Sequence, residues 1–165
     1  MNQVAVKFLI LKFGKLLLRN DPEQGIWSLT GGDIYTNENL HQAVNRITVA
    51  ETGWQADNVR FFKLNSFIDE DGYYLGVQLH EIVFIVDAVK NILPAEKRIK
   101  NLRWFPLNHL PPSRELNFID AEIIYAFKNL IHAGKTLDLE NLPPAFKLKK
   151  IAAKSNLRLL DFTVI

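Results

Sequence analysis

Along the first residues of the chain, Val4, Val6, Phe8 and Ile10 alternate with Ala5, Lys7, Leu9 and Leu11. A period of two with apolar residues on both phases predicts a strand buried on at least one face. Gly14-Lys15 then turns the chain into Leu16-Leu17-Leu18, a second strand. A polar loop from Asn20 to Gly25, broken by Pro22 and Gly25, leads to the short apolar stretch Ile26-Trp27-Ser28-Leu29, read as a third, brief strand. After Gly31-Gly32 and a loop the period changes. Between Glu38 and Glu51 the apolar residues Leu40, Ala43, Val44, Ile47 and Ala50 follow helical spacing. Glu38 is placed where an acidic residue favours a helix N-terminus, and Gly53 just past the end, where a left-handed backbone is common.

Val59 to Phe67 and Tyr73 to Val89 are rich in β-branched and aromatic residues, with Asp69-Glu70-Asp71-Gly72 between them as a hairpin turn. Two long antiparallel strands are expected. Asn91 to Lys100, containing Pro94, reads as a loop, Leu102 to Phe105 as a strand, and Phe118 to Ala133 as a helix ended by Gly134. Strands around one helix with a second helix closing the pattern argue an α+β class, a mixed sheet between helices. Beyond Gly134 the Pro143-Pro144 break and the lysines 147, 149 and 150 change the character of the chain. The division expected is therefore a domain over 1–134 and a C-terminal extension over 135–165, either packed on the domain or used for interaction through Phe146, Leu148 and Ile151.

Composition narrows the partners. The 165 residues are 48% hydrophobic and 23% charged, which suits one globular domain with a core of its own. A formal net charge of +2 gives no reason to expect nucleic acid. The apolar start of the chain is interrupted by Lys7 and Lys12 and lacks a cleavage site of small residues. No run reaches the ~18 to 20 apolar residues of a membrane span, so no membrane partner and a cytoplasmic location are expected. With no cysteine there is neither a thiolate metal site nor a cysteine nucleophile.

The chemistry is concentrated in Gly25 to Trp54, GIWSLTGGDIYTNENLHQAVNRITVAETGW. Positions 47, 50 and 51 stand at i, i+3 and i+4 and share a helix face. Three carboxylates there would form an oxygen cage for Mg²⁺, and glycines before the helix would let backbone groups approach the metal and its phosphates. Gly32, Glu38, Arg46, Glu51, Gly53 and Trp54, with Trp27 and Gly31 upstream, match the spacing of the Nudix box. That pattern is a glycine, five residues, a glutamate, seven residues, then Arg-Glu-apolar-x-Glu-Glu-x-Gly-apolar, preceded by Pro-Gly-Gly. The chain thus resembles the Nudix hydrolase superfamily, and the resemblance implies a Nudix-type α/β/α sandwich. It departs from the pattern at Ile47 and Ala50, which stand where two of the glutamates belong, and at Thr30 in place of the proline. With Glu51 as the remaining carboxylate, a multi-metal site on this helix is not expected.

Arg46-Ile47-Thr48-Val49-Ala50-Glu51-Thr52-Gly53 is similar to the corresponding segment of the GDP-mannose mannosyl hydrolases, as is Pro22-x-Gln24-Gly25-x-Trp27. The likeness implies one Mg²⁺, with Mn²⁺ as a substitute, held by Glu51 with the backbone carbonyl of Gly32, and attack by water at the anomeric carbon. That branch takes a glutamine ligand and a histidine base from the loop that is Leu93 to Arg98 here. Lys97 and Arg98 occupy those places, leaving Glu96 as the loop carboxylate for the base role and the two basic residues as phosphate contacts. A histidine at the place of His80 occurs in the same branch, and Arg19 resembles a leaving-group arginine if the alignment slips by one. Leu102 to Leu107 and Phe118 to Ile124 look like the closing strand and final helix of Nudix domains, with Trp104 read as core.

The resemblance therefore implies hydrolysis of a small-molecule nucleoside diphosphate derivative, a nucleotide sugar ahead of a dinucleotide or ADP-ribose. In this reading Glu51, Arg46 and Glu96 are catalytic candidates. Arg19, His80, Lys97 and Arg98 are substrate contacts, Gly32 and Glu51 hold the metal, and Gly31, Glu38 and Gly53 shape the box. The resemblance leaves the oligomeric state open between a monomer and a homodimer, dimers being common among such relatives. The alternative from another class is a catalytically inactive Nudix-fold domain that binds a nucleotide or a protein partner.

Overall fold

The structure, a computed structural model, describes residues 2–69, 77–94 and 97–132. The turn residues 70–72, Glu96 and the extension 135–165, with the boundary at 134, lie outside them. Among the described residues the elements are β1 (Asn2–Lys12), β2 (Lys15–Asn20), β3 (Trp27–Ser28), β4 (Thr30–Asp33), α1 (Leu40–Thr52), β5 (Trp54–Asp69), β6 (Val77–Asn91), β7 (Leu102–Pro106) and α2 (Phe118–His132). None of the helices is long and apolar enough to cross a membrane.

The strands form one mixed sheet. β1 runs parallel to β6 from Asn2↔Gln78 to Leu11↔Asp87, and β6 pairs antiparallel with β5. On its other side β1 first pairs with β4, Ala5↔Asp33 through Phe8↔Thr30, and only at its end with β2, at Leu11↔Leu16 and Lys12↔Lys15. β2 pairs with β7 and, at Arg19↔Ser28, with β3. The two phases of β1 explain its near-continuous apolar run. Val6, Phe8 and Ile10 pack with Ala43, Val44 and Ile47 of α1, whereas Leu9 packs with Ile123, Ile124 and Phe127 of α2. The sheet is therefore covered on both faces, and the α+β sandwich expected from the sequence is the observed architecture.

Several boundaries differ from the expectation for physical reasons. Glu38 precedes α1 rather than opening it. Asn39 is the cap, its side chain accepting the Gln42 N–H while the Gln42 side chain accepts the Asn39 N–H. At the other end Gly53, at φ +71°, takes the left-handed position and donates its N–H to the Val49 carbonyl. The turn after β1 uses Phe13 and Gly14, both at positive φ, as a two-residue hairpin connection. Gly31-Gly32, assigned to no element from the sequence, lies inside β4. A Cβ on Gly31 would sit 2.2 Å from the Val6 carbonyl oxygen, so the pairing with β1 itself requires glycine there. β5 begins at Trp54, ahead of Val59, and reaches it through register shifts between Gln55 and Ala56 and between Asp57 and Arg60.

Candidate active site

Because β2 pairs with β1 only at the hairpin end, the sheet opens beyond it into a cleft of about 570 Å³. Its walls include Lys7, Arg19, Gly31, Gly32, Glu51 and Glu81. The volume is that of an ordinary small-molecule site.

Glu51 stands in the last turn of α1 and Arg19 near the end of β2, and the Arg19 guanidinium donates to the Glu51 carboxylate. Both side chains are partly exposed, so the pair contributes little to stability, and both line the cleft. Ile47 and Ala50 share no such role. Ile47 is buried beneath Gly32, where its Cγ2 would lie 3.4 Å from an added Cβ, and Ala50 is exposed. The donor set at this end of the cleft is thus the Glu51 carboxylate with the backbone of the glycine strand, oxygen donors that suit a hard cation completing its shell with water and phosphate. Among the described residues no three His, Asp or Glu side chains stand close enough to hold a metal together.

Arg46 faces elsewhere. Its Nε donates to Glu38 Oε2 at 2.9 Å, its Nη2 to Glu38 Oε1 at 2.5 Å and to the Asp33 carbonyl at 2.9 Å, and its guanidinium lies 3.9 Å from the centre of the Tyr35 ring. The Tyr35 N–H adds a further bond to Glu38. This fork ties the loop after β4 to α1, and the Arg46 guanidinium holds the Glu38 carboxyl at about 2. Arg46 and Glu38 therefore brace the glycine strand and are not among the cleft-lining residues.

The other sequence candidates are dispersed. His80 is buried and does not line the cleft; strand alternation gives that position to its neighbours Leu79 and Glu81. Lys97 is exposed, and Arg98 borders a separate hollow of about 220 Å³ beside Trp54 and Trp104. Glu96 lies outside the described residues.

Three charged residues were passed over by the motif. Lys7 donates to Asp120 Oδ1 at 2.9 Å, and Asp120 Oδ2 accepts the Leu29 N–H at 2.8 Å. Asp120 is fully buried and anchors the segment leading into β4. Glu81 is 8% exposed, among the described residues its Oε2 has no partner, and burial pushes its carboxyl up. Lys7 and a side-chain hydrogen bond with Asn65 oppose that rise, and Asp120 adds to it. The signal for all three was a charge in an otherwise apolar strand or helix.

Comparisons with known proteins bear on the family and the fold. The chain is 34% identical over 113 residues to the ADP-ribose pyrophosphatase of Methanocaldococcus jannaschii, an alignment covering 66% of this chain and 64% of that protein, so the chain spans less than two thirds of the relative's length. The MutT NUDIX hydrolase of Burkholderia pseudomallei superposes with a TM-score of 0.59 at 23% identity, over 76% of this chain and 97% of the other. A NUDIX hydrolase of Nitrosomonas europaea gives 0.56 at 20% identity, over 82% and 91%. At such identities these two show the fold. The NUDIX domain model matches residues 1–127, from β1 into α2, and with that match the chain belongs to the NUDIX domain family.

Proposed function

We propose that the protein is a Mg²⁺-dependent hydrolase of a nucleoside diphosphate joined to a sugar, with ADP-ribose and nucleotide sugars as the substrates to examine. The observation that carries this reading is the Glu51 carboxylate, paired with Arg19 on the wall of a cleft bordered by the Gly31-Gly32 strand. The M. jannaschii relative, named an ADP-ribose pyrophosphatase, supports the substrate class. In this reading Glu51 and the Gly32 carbonyl hold the metal, which when bound neutralises charge on the diphosphate oxygens.

The chain's own residues do the rest. Arg19 exchanges the Glu51 carboxylate for a phosphate oxygen as substrate enters, a partner its planar fork suits equally well. Gly31 lets β4 pair closely with β1, and the backbone of that strand borders the cleft where the diphosphate is proposed to sit. Arg46 and Glu38 keep that strand fixed against α1. The domain is proposed to be residues 1–134, with 135–165 as an accessory segment.

The test is product formation from ADP-ribose and GDP-mannose with Mg²⁺ or with chelator. Two monophosphates from ADP-ribose place the attack of water at phosphorus. Free sugar plus nucleoside diphosphate from GDP-mannose places it at the anomeric carbon. A second reading, favoured by Ile47 and Ala50 where the Nudix box carries glutamates, is a domain that binds a nucleotide without hydrolysing it. Nucleotide binding without metal-dependent product from either substrate supports that reading and overturns the first.

A further inference from the structure

Most charged groups around the cleft have their partners within the protein. Arg19 holds Glu51, Lys7 holds Asp120, and the second oxygen of Asp120 accepts the Leu29 N–H. Glu81 is buried and only partly paired. It lies on β6 in phase with Val83 and Ile85, which pack toward α2, and opposite Asn65 of β5, whose side chain hydrogen-bonds its carboxyl. It is more than nine-tenths buried, it lines the cleft, and among the described residues Oε2 has no partner. A buried carboxylate oxygen left without a donor is costly, and a ligand that supplies the donor is the simplest reason for its presence.

We propose, resting on the function proposed above, that Glu81 selects the nucleobase by accepting a hydrogen bond from an N–H on the base edge. The cleft carries two chemically different sets of groups. Arg19, Glu51 and the glycine strand suit a diphosphate with its cation, whereas the buried Glu81 carboxyl, on the face of β6 that packs toward α2, suits a hydrogen-bond donor. A nucleoside diphosphate presents both chemistries. Leu29 and Leu79 line the cleft together with Glu81, and apolar flanks suit a planar base better than a sugar whose every hydroxyl needs a partner. Lys7, already engaged by Asp120, leaves Oε2 as the acceptor that discriminates.

The test uses the full chain and equilibrium binding of four probes: AMP and GMP, which carry N–H groups on the base edge, purine riboside 5′-monophosphate, which carries none, and ribose 5-phosphate. The wild-type protein is expected to bind AMP or GMP about tenfold more tightly than purine riboside monophosphate, because the analogue leaves the carboxylate unpaired. Glu81→Leu removes that preference, while Glu81→Gln, which keeps an acceptor oxygen, retains most of it. Thermal unfolding of Glu81→Leu at or above the wild-type midpoint shows that the effect is not one of folding, since the variant loses an unpaired buried polar group. No preference in the wild-type protein overturns the inference, as does a preference unchanged in Glu81→Leu. A proportionate loss of ribose 5-phosphate binding in Glu81→Leu means the carboxylate reads the sugar and also overturns it. If the wild type binds none of the four probes, the nucleotide reading itself falls. Hydrolysis of ADP-ribose by a protein without base preference removes only the role of Glu81.

Discussion

Replacing Asp120 with alanine isolates one contact that holds the segment leading into the glycine strand. Asp120 is fully buried and bonds to two groups, the Leu29 N–H at 2.8 Å and Lys7 Nζ at 2.9 Å. Leu29 is itself buried, so its N–H would lose a charged acceptor with no water to replace it, a loss of about 1.5–3 kcal/mol. The Lys7 side chain is 21% exposed and regains water in part, so its share is nearer ~1 kcal/mol. Together the substitution costs about 3 kcal/mol, a large part of the roughly 5–15 kcal/mol that holds a domain folded. With a urea slope of about 2 kcal/mol/M the unfolding midpoint moves down by ~1.5 M. Asp120→Asn, which keeps an acceptor for Leu29 but no charge for Lys7, recovers roughly 1 kcal/mol of the loss. A midpoint for Asp120→Ala within ~0.3 M of the wild type, on the same slope, would refute the reasoning that this carboxylate anchors that segment.

Gly31→Ala, whose Cβ meets the Val6 carbonyl at 2.2 Å, is expected to cost about 1–3 kcal/mol of stability, whereas Gly32→Ala, with an ordinary contact of 3.4 Å to Ile47, costs less than ~1 kcal/mol; equal losses in urea unfolding would contradict the strand pairing. The Glu38 carboxyl, held by Arg46 at about 2 against an ordinary 4.5, contributes stability that is present above about 4.5 and lost as pH falls toward about 2. Glu38→Gln therefore flattens the acid limb of a plot of unfolding midpoint against pH, and an unaltered limb counts against the fork.

Legibility in the sequence followed periodicity. The phases of Val4 to Leu11 and of Leu40 to Ala50 come from single elements packed against a core, and their positions were readable because burial follows a fixed repeat. Thr30 to Asp33 escaped because two adjacent glycines carry no hydrophobic signal, and the reason they form a strand is the Val6 carbonyl, a contact distant in sequence. In the cleft, the motif singled out Glu51, Gly31 and Gly32, and the structure places all three on its walls. Arg46 and Glu38 belong to the same motif yet pair with each other away from it. His80 attracted notice as a chemical group, but strand parity decides orientation, and that parity brings Glu81 to the cleft instead. Lys7 and Asp120 are separated by 113 positions, so only the fold could reveal their pairing.

The central claim is that one carboxylate, Glu51, makes the cleft a metal-dependent hydrolytic site. Its most direct test is turnover of ADP-ribose and GDP-mannose by wild type and Glu51→Gln at saturating Mg²⁺, with thermal midpoints measured alongside. Since the Arg19 contact is partly exposed, the midpoint should change little, while turnover falls by about 100-fold or more. Undiminished metal-dependent turnover in a folded Glu51→Gln protein would contradict the account.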